Sequence, residues 1–189
     1  MHIDMALKEI LTEPNKFLRE KSLMVEKVDE DLQKLMNDML ETMYAAPGIG
    51  LAAIQVGVPK RVIVLDIEWR NKSESTNDEK QVVRKNPMCF VNPEIITKST
   101  NNLTYEEGCL SVPGQFAEIE RPDKCHIKYL NYYGQPKELV AEGMLATCIQ
   151  HEMDHLEGIL FIDYLSKLKK SMIVKKLTKQ KEQLDRIVI

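Results

Sequence analysis

The sequence contains little histidine and little cysteine, and it has no long hydrophobic run. Four residues of each type occur among 189. The longest apolar runs fall far short of the roughly 20 residues that a membrane-spanning helix needs, so a membrane protein is excluded. The cysteines form no Cys-x-x-Cys pair and are too sparse for a disulfide scaffold, which is typical of a reducing compartment. They stand at Cys89, Cys109, Cys125 and Cys148.

A targeting segment, internal repeats and low-complexity stretches are also lacking. The first eleven residues mix charged with apolar side chains instead of separating them as a secretory signal does. Hydrophobic residues make up 43% and charged residues 29%, as in ordinary globular proteins. We therefore expect a cytoplasmic protein whose length suits one domain with one core.

Two amphipathic helices and several strands can be predicted from the pattern of apolar residues. In 29–44 they recur every three or four positions, which predicts a helix that Asp29 or Asp31 can cap and Pro47-Gly48 ends. A second helix is predicted for 143–156 and a turn for 133–136.

Stretches rich in Val, Ile, Phe and Tyr predict strands at 61–67, 87–96, 117–119 and 125–130. Residues 71–80 contain no apolar side chain and predict an exposed hairpin tip. Antiparallel strands with separate helices indicate the α+β class.

The pentapeptide His151-Glu152-Met153-Asp154-His155 carries the clearest chemical signal. On a helix both imidazoles lie on one face and can hold a single metal, with Glu152 beside it to assist attack by water. A catalytic metal usually takes three protein ligands, and Cys109 offers a third donor. The alternative is that His151 and His155 are ordinary helix residues and Glu152 a solvated charge.

Two further motifs decide between these readings. They are Gly48-Ile49-Gly50-Leu51-Ala52-Ala53-Ile54-Gln55 and Glu106-Glu107-Gly108-Cys109-Leu110-Ser111. Together with the histidine motif, and in the same order, they resemble the signatures of the peptide deformylase family. The resemblance spans roughly residues 14–164 and implies antiparallel sheets wrapped around a central helix that bears both histidines.

The resemblance implies a hydrolase that removes the N-formyl group from the initiator methionine of nascent polypeptides and releases formate. Cys109, His151 and His155 would hold the metal, and Glu152 would act as general acid and base. The tetrahedral oxyanion would be stabilised by the side-chain amide of Gln55 and the backbone N–H of Leu110. A surface amide without a catalytic role is the alternative for Gln55.

The same resemblance implies that the peptide binds as an added strand along the main chain of Ile49, Gly50 and Gly108. We expect both glycines to allow its close approach. The methionine side chain would enter a pocket formed by Ile49, Met144 and Cys148, although Met144 and Cys148 can equally be core residues.

Three further features concern the surroundings of this site. Glu107 and Arg121 match a pair that the family uses near the metal, where a salt bridge would hold the Cys109 hairpin. Many members have a substrate-contacting arginine where this chain has Phe116, so the resemblance does not imply that contact here. Cys89 and Cys125 are expected to be core residues.

The metal and the C-terminus leave alternatives open. Cysteine and two histidines suit zinc, whereas the family favours Fe²⁺ and accepts Zn²⁺, Ni²⁺ or Co²⁺.

We expect a catalytic domain at 1–165 and an appended basic helix at 166–189. Residues 164–189 carry eight Lys or Arg and two acidic residues, a net charge of +6. The whole chain has a net charge of −3, so the remaining residues carry −9. That helix either docks with a solvated basic face or contacts ribosomal RNA. The apolar residues expected to pack it are Leu165, Leu168, Met172, Ile173, Leu177, Leu184 and Val188.

Two other functions compete with deformylation. A general metallopeptidase shares the helix motif, but the thiolate ligand and the lack of a downstream His or Glu ligand argue against it. A non-catalytic, metal-dependent ribosome-binding relative is the other, and the presence of Glu152, Gln55 and Cys109 argues against it.

Overall fold

The computed structural model describes residues 6–69 and 85–187. The three α-helices are Glu30–Ala45 (α1), Gly143–Leu156 (α2) and Lys167–Ile187 (α3). Single 3₁₀ turns lie at Lys16–Arg19, Ala53–Val56 and Phe161–Tyr164. The strands are Gly50–Ala52 (β1), Val62–Leu65 (β2), Met88–Lys98 (β3), Asn102–Cys109 (β4), Val112–Pro122 (β5), Lys124–Leu130 (β6) and Pro136–Glu142 (β7). In these ranges no helix has both the length and the apolar character that crossing a membrane requires.

Helix α1 forms where its periodicity predicts it. Asp29 caps it, since its Oδ1 accepts a hydrogen bond from the backbone N–H of Leu32 at 2.9 Å. Met36, Met39 and Met43 are fully buried along one stripe. These residues therefore belong to the core, as expected from the sequence.

Five strands form one antiparallel sheet in the order β1-β2-β3-β6-β7. Every residue of β2 is buried because the sheet is covered on both faces at this strand. Ile63 and Leu65 pack into the cluster that contains Ile149 of α2, whereas Val62 and Val64 pack into the cluster around the α1 methionines. The sheet thus separates α1 from α2.

Strands β4 and β5 form a separate antiparallel hairpin. The inner face of β5 joins Phe161 of the last 3₁₀ turn and Ile173 and Leu177 of α3 in a third cluster. Helix α2 contacts strands of both sheets and so occupies the centre of the molecule. The predicted α+β fold with a central motif-bearing helix is confirmed.

Some predicted elements differ from the structure. Strands β4 and β7 were not predicted, because their outward residues are mostly polar and give weak apolar alternation. Strand β5 extends well beyond the predicted 117–119. The predicted hairpin tip at 71–80 lies outside the described residues.

The apolar stripe expected to pack α3 is only partly correct. Ile173 and Leu177 are buried, but Leu168, Met172 and Leu184 are 73%, 63% and 64% exposed. Leu168 and Met172 are exposed because they project from a different side of the helix than the two buried residues. Val188 lies outside the described residues.

Candidate metal centre

Helix α2 brings His151 and His155 together. Both are buried, and their ring centroids lie 5.2 Å apart. Cys109 reaches them from the end of β4, where the hairpin register shifts between Gly108 and Cys109. Its Sγ lies 3.2 Å from Nε2 of His155. The three potential ligand atoms lie within 4.8 Å of one another, close enough for a single cation to bind all of them.

Glu107 fixes the orientation of His151. Its Oε2 lies 2.8 Å from Nδ1 of His151, and because an ionised carboxylate only accepts, Nδ1–H must be the donor. Burial would raise the pKa of Glu107, but the hydrogen bonds from His151 and Arg121 lower it below its ordinary value. This carboxylate therefore stays ionised and holds Nδ1 of His151, so Nε2 is the nitrogen that would bind a metal, with displacement of any proton on it.

The two imidazoles differ electrostatically. Burial alone would lower the pKa of His151, but its hydrogen bonds to Cys109 and Glu107 outweigh burial and raise it. Burial and the neighbouring His151 lower the pKa of His155 well below its ordinary value. His155 is therefore a neutral ring, the form that binds metals.

Arg121 links this site to the helix behind it. From β5 it makes a bidentate salt bridge with Glu107, with N–O distances of 2.5 and 3.0 Å. Its Nη1 also donates to Oδ2 of Asp154 at 2.8 Å, and the hydroxyl of Tyr164 donates to the same oxygen. The expected ion pair between Glu107 and Arg121 is present, and Asp154 and Tyr164 extend it into a larger network.

Glu152 lies beside the donor cluster with one oxygen unpaired. The residue is 5% exposed, and its Oε2 has no hydrogen-bond partner among the described residues. Burial raises the pKa of Glu152 to about 7. A carboxylate with this pKa can exchange a proton near neutral pH.

Gly50 also leaves space for a side chain of the protein itself. A β-carbon at this position would collide with Oε1 of Glu152 and lie 2.8 Å from Leu65. The glycine therefore makes room for the protein's own carboxylate. Strand β1 is also the end strand of its sheet, so one of its edges pairs with no other strand among the described residues.

Gln55 directs its amide nitrogen towards Cys109. Its Oε1 accepts the backbone N–H of Ala52 at 2.8 Å, which fixes the side chain at the 3₁₀ turn. Nε2 consequently points the other way, 3.0 Å from Oγ of Ser111 and 3.5 Å from Sγ of Cys109. At 1% exposure Gln55 is not a surface amide. Leu110, between Cys109 and Ser111, lines the same cavity as Gln55 and Cys109.

A cavity of about 490 Å³ opens directly onto the donor cluster. All the residues expected to contact substrate line it, namely Ile49, Gly50, Gly108, Met144 and Cys148. Burial raises the pKa of Cys148 to about 12, so this thiol stays protonated and forms part of the wall. Cys125 is buried in the core as expected, whereas Cys89 is only partly buried against the cluster around the α1 methionines.

Phe116 lies at the mouth of this cavity. It pairs across the hairpin with Gly108, and a β-carbon on that glycine would lie 2.5 Å from Cε1 of the ring. The side chain is 63% exposed and lines the opening. An aromatic ring thus covers Gly108 from the solvent side.

Among the side chains that the sequence did not single out but that contact or line the site are Ser111, Asp154 and Thr147. Ser111 accepts from Gln55, Asp154 accepts from Arg121, and Thr147 lines the cavity. Asp154 lies inside the histidine motif and Ser111 next to Cys109, so proximity was the available signal. Thr147 gave no such signal, because one threonine in an apolar helix resembles any core position.

Comparisons with known proteins agree on one family. Residues 7–171 match the family model described as Polypeptide deformylase. The peptide deformylase of Pelagibacter ubique is 61% identical over 98% of this chain and 100% of its own length. That of Maricaulis maris is 57% identical over 96% and 98%. The crystal structure of peptide deformylase from Ehrlichia chaffeensis in complex with actinonin shares 43% identity and a TM-score of 0.83 over 93% of this chain and 98% of its own.

Proposed function

The chain belongs to the polypeptide deformylase family, and on that premise we propose how its own residues perform the reaction. It is a metal-dependent hydrolase that removes the formyl group from nascent peptides. The observation that supports our proposal most strongly is the convergence of Cys109, His151 and His155 beside the unpaired carboxylate oxygen of Glu152.

The donor set fits a transition-metal dication. One thiolate and two imidazoles, with Glu107 holding Nδ1 of His151, leave room for a fourth, exchangeable position on the cavity side. A dication held there would acidify water and polarise the formyl oxygen. We propose Fe²⁺ as the metal in the cell, with Zn²⁺, Ni²⁺ or Co²⁺ able to replace it, since these donors accept all four.

Glu152 moves the proton in this reaction. With a pKa of about 7 it takes a proton from the attacking water and gives it to the departing amine nitrogen. The missing hydrogen bond at Oε2 supports this role, because no described residue competes for that oxygen.

Gln55 and Leu110 stabilise the negative charge that develops on the formyl oxygen. The Nε2–H₂ group of Gln55 is already directed to the Cys109 end of the cavity, and its position is fixed by Ala52. Backbone N–H of Leu110 is the second donor. Donors placed in advance are effective because they need no reorganisation during the reaction.

The peptide lies between β1 and the β4–β5 hairpin as an added strand. Strand β1 is at one end of the five-stranded sheet, and Ile49, Gly50 and Gly108 line the cavity. Main-chain pairing along these residues holds the peptide. The methionine side chain enters the cavity between Ile49, Met144 and Cys148.

Metal-loaded protein and formyl-Met-Ala-Ser, kept anaerobic, test this assignment. We expect stoichiometric formate without cleavage of the peptide backbone, and anaerobic metal analysis identifies the ion. Glu152→Gln should keep the metal and lose turnover. Cleavage of unformylated oligopeptides would instead indicate a metallopeptidase. Absence of any hydrolysis would indicate a non-catalytic relative.

We further propose that the protein works in the cytoplasm and that α3 contacts ribosomal RNA. On α3, Lys175, Lys176 and Lys179 are exposed, whereas Ile173 and Leu177 are buried against the body. Lysines neutralise phosphates with release of counterions, so binding to ribosomes should weaken steeply with salt.

Substitution of exposed lysines tests this contact without removing the helix. The variant Lys175→Gln, Lys176→Gln, Lys179→Gln should bind ribosomes more weakly and with a shallower salt dependence, at unchanged hydrolysis of tripeptides. A control with the same charge change carries Lys60→Gln, Lys98→Gln and Lys137→Gln. Equal binding by both variants would refute the contact.

A further inference from the structure

The two oxyanion donors belong to separate parts of the fold. Gln55 lies in the 3₁₀ turn that follows β1 of the five-stranded sheet, whereas Leu110 lies in the turn of the β4–β5 hairpin. In the described ranges, no strand pairing joins that sheet to the hairpin. The distance between the donors is therefore set by contacts outside both sheets.

The N-terminal segment 6–13 bridges these two parts. The backbone N–H of Leu11 donates to the carbonyl oxygen of Gln55, and that of Glu13 donates to the carbonyl oxygen of Ser111, next to Leu110, both at 2.8 Å. Amide groups two residues apart are at most about 7 Å from each other, so the two carbonyls are held within that reach. Glu13, Gln55 and Ser111 are all buried, so water does not replace these bonds.

The amide of Gln55 depends on the same arrangement. Its Oε1 is held by the N–H of Ala52, and its Nε2 donates one hydrogen to Oγ of Ser111 at 3.0 Å. The second hydrogen on Nε2 remains for the oxyanion. A shift of Ser111 relative to Gln55 would turn the amide and move this hydrogen away from the formyl oxygen.

Arg19 anchors the bridging segment at its C-terminal end. Its Nη2 lies 3.2 Å from Oε2 of Glu13, and its Nη1 donates to Oδ2 of Asp163 at 2.5 Å. The main chain of Arg19 is also fixed, because it packs so closely on Gly158 that a β-carbon there would lie 2.3 Å from the Arg19 carbonyl oxygen. The earlier part of the segment is hydrogen-bonded to side chains of α1.

We propose that the main-chain amides of Leu11 and Glu13, held in place by Arg19, position the two oxyanion donors relative to each other. None of these three residues lines the substrate cavity, so they act through Gln55 and the hairpin turn. This inference rests on the proposed function, because it takes Gln55 and Leu110 as the donors. Misplacement of catalytic groups by about 1 Å can cost about 100-fold in rate.

Proline at position 11 tests the proposal, because proline has no backbone N–H. Leu11→Pro should lower kcat for formyl-Met-Ala-Ser, per bound metal, by about 10-fold with little change in KM, since the donors act on charge that develops in the transition state. Leu11→Ala keeps the N–H and should retain kcat. Glu9→Pro is the matched control, because Glu9 is exposed and no described residue accepts a hydrogen bond from its N–H.

A double-mutant cycle with Gln55→Leu separates positioning from general damage. Where the Gln55 amide is already absent, Leu11→Pro has no amide left to misplace and should lower kcat by less than about twofold. A loss of folded protein would instead lower kcat by the same factor in both backgrounds. Arg19→Leu keeps every main-chain donor and should show the same dependence on Gln55, which supplies the test if Leu11→Pro does not fold.

The outcomes distinguish this inference from the proposed function. An equal fall of kcat in both backgrounds, or an unchanged kcat in Leu11→Pro and Arg19→Leu, would overturn this inference alone. A normal kcat in Gln55→Leu would overturn the proposed role of the amide and this inference with it.

Discussion

Replacement of Arg121 by leucine tests whether the buried ion pair supports the metal centre. Arg121 and Glu107 are 4% and 6% exposed, so Arg121→Leu leaves the Glu107 carboxylate in the interior without its bidentate partner. Removal of one member of a buried pair typically costs about 3 to 5 kcal/mol. The remaining contact of Glu107, to Nδ1 of His151, offsets only part of this loss.

The same substitution should weaken metal binding. Glu107 would no longer be held on two sides, so it would orient His151 less strictly. Loss of such a supporting contact usually lowers metal affinity by about 10- to 100-fold. The affinity change should appear in titrations at constant pH, separately from the change in stability.

Urea unfolding of metal-free protein gives the stability change, and competition with a chelator gives the affinity. Lys128→Gln is the matched control, because its salt bridge to Glu94 joins side chains that are 53% and 63% exposed. We expect its unfolding midpoint to be unchanged. If Arg121→Leu lost less than about 1 kcal/mol and kept its metal affinity, the carboxylate would not depend on this arginine and the reasoning would be wrong.

Three further predictions concern catalysis, substrate binding and pH. Gln55→Leu should lower kcat for formyl-Met-Ala-Ser by about 100- to 1000-fold with little change in KM, as expected for loss of an oxyanion donor; a change in KM alone would contradict this role. Phe116→Ala should raise KM several-fold at constant kcat, because the exposed ring offers apolar area to a bound peptide; unchanged kinetics would show that the ring does not contact it. The hydrogen bond from Arg61 lowers the pKa of Glu157, so this pair stabilises the fold above the unfolded-state pKa of about 4.3 and the contribution is lost as pH falls through the lower folded value. Arg61→Ala should therefore lose less stability between about pH 6 and pH 3 than the unsubstituted chain, as measured by urea midpoints.

Helices were predictable from the sequence because the apolar residues that they bury recur every three or four positions along the chain. The stripe of methionines in α1 and the cap at Asp29 needed no knowledge of distant residues. Strand β7 was missed because its cross-strand partners, not its own alternation, determine that it forms. Its pairing with β6 depends on contacts that a local pattern does not contain.

The site was predictable in its residues but not in all its geometry. Three motifs identified the donors, yet the sequence alone did not show that Cys109 would lie 3.2 Å from Nε2 of His155, 46 positions away. The sequence also did not show that Gly50 leaves space for Glu152 and that Gly108 leaves space for the ring of Phe116.

The position of β1 at the end of its sheet has a consequence for the range of peptides that the protein can accept. Main-chain N–H and C=O groups are the same in every polypeptide, so a partner that completes a sheet is recognised largely without regard to its side chains. In the proposed binding mode, selection by side chain acts at the residue that enters the cavity, because main-chain pairing does not distinguish the positions after it.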